Sequence, residues 1–181
     1  MKHFLKYMFK RLHFSGMAGV LALVLGLINA PMTAMAQIAA PLPAGTGAGV
    51  HGANSPFAPI QERSDVLPWS VLTEVKTRAE KNRLLPVFTA PIQALNQKTQ
   101  RIQGFMMPLE PGDKQKHFLL SSVPLSCGFC VPGGSESMVE VKTKIPVKYS
   151  LEVVVVEGRF NVLNDDPYGL YYRITDAVSV K

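Results

Sequence analysis

The chain predicts a mainly β domain, a small OB-like barrel of five or six strands with one N-terminal amphipathic helix; a β-sandwich is the alternative architecture. Three observations carry this reading. From Val87 onward, short runs rich in Val, Ile, Phe and Tyr are separated by Pro, Gly, Asn and Asp, which is the punctuation of strands and turns. Two of those runs hold a glycine at mid-strand, Gly104 and Gly158, where a small closed sheet needs bulges or tight bends to turn its corners. Ahead of them, Trp69, Leu72, Val75 and Ala79 recur at three- and four-residue steps, the spacing of a helix face.

The first residues are of another kind. Lys2, Lys6, Lys10 and Arg11 form a basic start, an apolar run over residues 16–28 follows, and Ala34 and Ala36 flank Met35. A basic start, a short apolar core and small residues are the parts of a secretory signal peptide, expected at residues 1–36. The apolar run is shorter than the roughly 18 to 20 residues that a membrane-spanning helix needs, so cleavage before Gln37 is the expectation and an uncleaved inner-membrane anchor the alternative. The chain of 181 residues has a formal net charge of +6, but four of its 19 basic residues and none of its 13 acidic ones precede Gln37. The remainder is close to neutral, which excludes the basic footprint of a nucleic-acid binder. Residues 37–61 are rich in Ala, Pro and Gly with almost no charge, and are expected to be a flexible tether. Residues 62–181 then form a single β-rich domain of a size that supports one core.

Along that domain, Pro68 suits a first helical position. Glu74 with Arg78 and Lys76 with Glu80 would be paired one turn apart, and Pro86 would end the helix near Leu84 or Leu85. Val87-Phe88 and residues 92–95 suggest a short first strand broken by Pro91. Strands follow over residues 99–107, 116–123, 137–142, 151–163 and 169–180, the last with alternating Leu170, Tyr172 and Ile174. Trp69 is expected in the core, a binding-site aromatic being the less ordinary role for a Trp on an apolar stripe.

The chemistry-bearing residues gather between the strands at 116–123 and 137–142, where Cys127-Gly128-Phe129-Cys130 is followed by Val131, Pro132 and two glycines. Three readings compete. A redox pair needs a helix after the second cysteine to lower the thiol pKa, and Gly133-Gly134 is a poor helix start. A metal site, for zinc or another transition metal, needs ligands beyond Cys127 and Cys130. His117, the histidine outside the leader and tether, would lie about 30 Å from the turn along a straight strand. A local disulfide follows if the compartment oxidises thiols, and would stiffen the loop more than the fold. In that case Phe129 and Pro132 mark a recognition loop. Asp165 and Asp166 precede Pro167 in a turn where Asx residues suit the backbone. Tyr168, Tyr171 and Tyr172 divide between an exposed platform and the core. Ser121, Ser122, Ser126 and Ser135 lack a base at a recognisable spacing.

Trp69-Ser70-Val71-Leu72, then Ile102-Gln103-Gly104-Phe105-Met106-Met107-Pro108-Leu109, then Phe118-Leu119-Leu120 ahead of Cys127-Gly128-Phe129-Cys130 resemble the domain of unknown function 3299 family. Val155-Val156-Glu157-Gly158 and Tyr172-Arg173-Ile174 fit the same pattern. The resemblance implies a small exported bacterial protein with an envelope location. It is similar in turn to accessory periplasmic proteins that accompany ABC-type transporter components, some linked to metal supply. The expected function is therefore a periplasmic, non-enzymatic accessory or binding component of an envelope transport system. A thiol–disulfide redox protein and a metal carrier are the alternatives.

Overall fold

The computed structural model describes residues 48–181. The expected signal peptide and the first part of the tether lie outside the described residues.

Among the described residues the first elements are one helical turn, α1 (Trp69–Leu72), and a hairpin of β1 (Val75–Glu80) and β2 (Arg83–Phe88), followed by a second turn, α2 (Ala90–Gln93). The helix expected from Pro68 to Leu84 stops after that first turn. Trp69 and Leu72 are buried as the stripe requires, but Val75 is half-buried and Ala79 is exposed. Lys81 and Asn82 both adopt positive φ, 45° and 64°, the requirement of a tight hairpin turn. The pairing runs from Val75↔Phe88 to Glu80↔Arg83, which satisfies the backbone that a helix would have satisfied internally. Arg78 consequently meets Glu80 at 3.3 Å on the strand instead of Glu74 one helical turn away. Pro86, expected as a helix terminator, is tolerated in β2 because this sheet has two strands and the proline needs no second partner. Residues 92–95, expected as a strand, begin inside α2, where Pro91 occupies the first turn and its missing N–H costs nothing.

The rest is the barrel. Strands β3 (Thr99–Pro108), β4 (Lys114–Ser121), β5 (Met138–Lys148), β6 (Val154–Val162) and β7 (Tyr172–Val180) close in the order β3-β4-β5-β7-β6. The β5–β7 pair is parallel and the others are antiparallel. The domain is thus mainly β with a closed five-strand mixed barrel, as the fold-class reading required. Gly158 explains one closure point. The β6–β7 register shifts between Glu157 and Arg159, and a Cβ on Gly158 would stand 2.7 Å from the Thr175 carbonyl oxygen and 2.9 Å from the Ala177 Cα.

Ile102, Phe118, Leu120, Val139, Val141, Val156, Phe160, Tyr172 and Ile174 fill the interior. Each contributes about 1.5–3 kcal/mol by leaving water. α1 and α2 cap this core with Trp69, Leu72 and Ile92. Trp69 Nε1–H donates to the Gln103 carbonyl at 2.9 Å, and the hydroxyl of Tyr172 on β7 donates to the Leu72 carbonyl at 2.6 Å. Tyr171 packs beside Tyr172, whereas Tyr168 stands in solvent. Trp69 is a core residue.

Candidate functional site

The loop between β4 and β5 turns sharply because Pro124 sets up successive tight turns. The Cys127 N–H donates to the Pro124 carbonyl at 3.1 Å and the Cys130 N–H to the Cys127 carbonyl at 3.3 Å. This brings the two Cα atoms to 5.4 Å and the sulfurs into a disulfide. The chain then runs extended through Val131 to a single 3₁₀ turn, Ser135–Ser137. Without a helix starting at the cysteines, the dipole that activates redox thiols is absent from this loop.

Part of the expected tether lies against the loop. Val50 and Val131 exchange both backbone hydrogen bonds, at 2.8 and 2.9 Å, and the Ser122 hydroxyl donates to the Ala48 carbonyl. Ser55 Oγ lies 3.3 Å from Cys127 Sγ and 3.6 Å from Cys130 Sγ. A disulfide sulfur carries no proton, so the hydroxyl is the donor in either contact. His51 Nε2–H donates to the Phe57 carbonyl at 2.8 Å, and its ring lies 6.0 Å from that of Phe105. Gly52 permits the approach, since a Cβ there would fall 1.9 Å from the Phe129 carbonyl oxygen. Composition alone concealed this strap, because its anchors are backbone groups and small polar side chains rather than an apolar stripe.

Cys127 is buried, whereas Phe129 is 61% exposed and Val131 and Pro132 are exposed beside it. A stiff loop that presents an aromatic ring to solvent is suited to recognition. Between strap and barrel, Ile60, Leu67, Trp69 and Val123 with Arg63 and Gln103 line a cleft of about 590 Å³. Its buried amide is already used, Gln103 Nε2 donating to the Gln61 carbonyl at 2.6 Å.

His117 belongs to a different place. Its Nε2 is 2.7 Å from Glu140 Oε1, on β5, and not beside the sulfurs. The metal set Cys127, Cys130 and His117 therefore does not fit: the sulfurs are joined to each other and the imidazole is held by a carboxylate. Among the described residues no three His, Cys, Asp or Glu side chains gather as a ligand set. Glu140 is instead the buried centre of a charge chain. Arg173 Nε donates to its Oε2, Lys142 Nζ lies 3.5 Å from Oε1, and Arg173 Nη2 reaches Asp166 Oδ2 at 3.1 Å. Burial pushes the Glu140 carboxyl up, but the hydrogen bonds from Arg173 and His117, with the charges of Arg173 and Lys142, outweigh it and hold it below the usual carboxylate range. Asp166 also accepts the N–H groups of Tyr168 and Leu170, at 2.9 and 3.3 Å, so it is a turn-building carboxylate. Asp165 pairs with Arg83 of the hairpin at 2.6 Å. The sequence analysis did not single out Glu140, whose principal partner Arg173 lies 33 positions away.

Fold and loop together define a small closed mixed barrel that carries a disulfide-clamped, strap-backed loop at one end. A family model described as a protein of unknown function, DUF3299, matches residues 58–169, and the chain belongs to that family. A crystal structure of a DUF3299 family protein from Pseudomonas aeruginosa PAO1 is 26% identical, with 53% of this chain and 68% of that chain covered at a TM-score of 0.42. Comparison with curated proteins gives no match. No helix among the described residues is long and apolar enough to cross a membrane.

Proposed function

We propose that this protein is an exported, periplasmic, non-enzymatic binding component of an envelope transport system, and that the Cys127–Cys130 loop is its recognition element. One observation carries the reading: Phe129 is offered to solvent from a loop held by the disulfide and by the Val50–Val131 bridge, with Ser55 Oγ against both sulfurs. Ordering a loop before binding removes part of the entropic cost of association, and a rigid aromatic anchor is the usual centre of an interface. The leader in the sequence supports export. The accessory proteins that the family resembles support the transport partner, an ABC-type component with a role in metal supply.

A photo-crosslinking residue at position 129, expressed in cells, is expected to give an adduct with a transport subunit, and Phe129→Ala is expected to weaken that association at least ten-fold. Absence of any adduct, together with wild-type association by Phe129→Ala, would overturn the reading. The redox alternative draws on the Ser55 hydroxyl over both sulfurs, which would also stabilise a thiolate. It requires insulin-reducing activity that disappears in the Cys→Ser pair. The metal-carrier alternative requires metal retained in stoichiometric amount by the reduced protein.

A further inference from the structure

Far from the disulfide, strands β4 and β5 leave the barrel as a two-stranded ribbon. Pairing of β3 with β4 stops at Pro108↔Phe118, and pairing of β5 with β7 stops at Thr143↔Ala177. β4 and β5 nevertheless remain together to Lys114↔Lys148. Between the pairs Gln115↔Val147 and His117↔Lys142, β4 has Lys116 alone while β5 has residues 143–146. The surplus bulges outward, as unmatched strand residues do, and it lifts Lys144, Ile145 and Pro146 into solvent, with Ile145 69% exposed.

The ribbon is almost uniformly cationic. Lys114, Lys116, Lys144 and Lys148 are exposed and make no ion pair among the described residues, and Lys142 at the base leans on Glu140. The carboxylates nearby in sequence are Glu110, Asp113 and Glu152 in the flanking turns, while Glu140 is committed to Arg173 and His117. Apolar side chains are interleaved at the same end: Ile145 in the bulge, then Tyr149 and Leu151 just past β5, all exposed.

The composition separates two kinds of partner. Protein interfaces are depleted in lysine and gather their apolar residues into a core, whereas here the lysines dominate and the apolar groups are scattered. Strand addition to the free β5 edge is opposed by Pro146 and by the lysines themselves, which are the usual guards of an open edge. Lysine binds phosphate as a point charge, and its stem can lie along an apolar layer while the ammonium stays at headgroup level. We propose that the β4–β5 ribbon is a docking surface for an anionic phospholipid membrane, with Lys114, Lys116, Lys144 and Lys148 meeting headgroup phosphates and Ile145 entering the interface.

The test uses the protein purified as the cell processes it, sedimented with vesicles of phosphatidylglycerol and separately of phosphatidylcholine. Binding to phosphatidylglycerol is expected, weakening as salt is raised, with little binding to phosphatidylcholine. Lys144→Gln with Lys148→Gln is expected to reduce that partition by about five-fold for each lysine, and the Lys→Arg pair to retain it. Unchanged circular dichroism of both pairs excludes misfolding as the cause. A wild-type protein that stays in the supernatant with phosphatidylglycerol would overturn the proposal, including one that instead binds an acidic protein. So would a Lys→Gln pair that sediments as the wild type does. Position 129 is absent from the ribbon, so Phe129→Ala, which tests the loop, is expected to leave vesicle binding unchanged.

Discussion

Glu140 sets the chemistry of the barrel's outer wall. Its side chain is 6% exposed and its two oxygens are divided between His117 and Arg173, so removing the charge leaves a guanidinium without its principal partner. Glu140→Gln is expected to lower stability at neutral pH by about 2–3 kcal/mol, read from urea unfolding. The pH dependence has a definite sign. The folded carboxyl sits below its ordinary value of 4.5, so the stabilisation is complete above that value and is lost as pH falls through the lowered one. The unfolding free energies of wild type and Glu140→Gln are therefore expected to converge in acid, and curves that stay parallel would refute the account. Residue-level reading of the sequence went furthest at the two cysteines, whose tight turn is local. Glu140 was not legible there, because Arg173 lies 33 positions away and only the parallel β5–β7 pairing makes them neighbours.

Among the elements, the β1–β2 hairpin is the instructive one. The sequence ahead of it carries a helical stripe at Trp69 and Leu72, and the stripe runs on by coincidence to Val75 and Ala79 in β1. One helical turn is then worth less than six strand pairs closed by a turn with positive φ at Lys81 and Asn82. A lysine in that conformation costs backbone energy that Asn or Gly does not. Replacing Lys81 by Asn together with Asn82→Gly is expected to stabilise the protein by about 0.5–1 kcal/mol, measured as a higher urea midpoint at unchanged slope. If this segment were helical, the glycine would destabilise it by about as much. The strap over residues 48–61 was equally illegible from composition. Its order comes from the backbone of Val131 and the hydroxyls of Ser55 and Ser122, partners more than 70 positions away.

For the whole molecule, the closed barrel and its apolar filling hold the fold, and the disulfide does not. A bridge across a sequence separation of 3 constrains the unfolded chain by no more than about 2 kcal/mol. The double variant Cys127→Ser and Cys130→Ser is expected to fold cooperatively with a melting temperature lowered by only a few degrees. Hydrogen exchange should rise at the Val50 and Val131 amides while the core strands stay protected. Global loss of protection would mean that the loop is part of the folding unit. The β class, the strand runs of the barrel, the bend at Gly158 and the cysteine turn are legible in the residues alone. Each of these rests on alternation, small residues or short spacing, which act between near neighbours in the chain. The hairpin in place of the helix, the strap on the cysteine loop, the His117–Glu140–Arg173–Asp166 chain and the lysine ribbon beyond the barrel emerge only in the folded arrangement. Those depend on which strands lie side by side, and barrel closure fixes that through contacts between residues far apart in sequence.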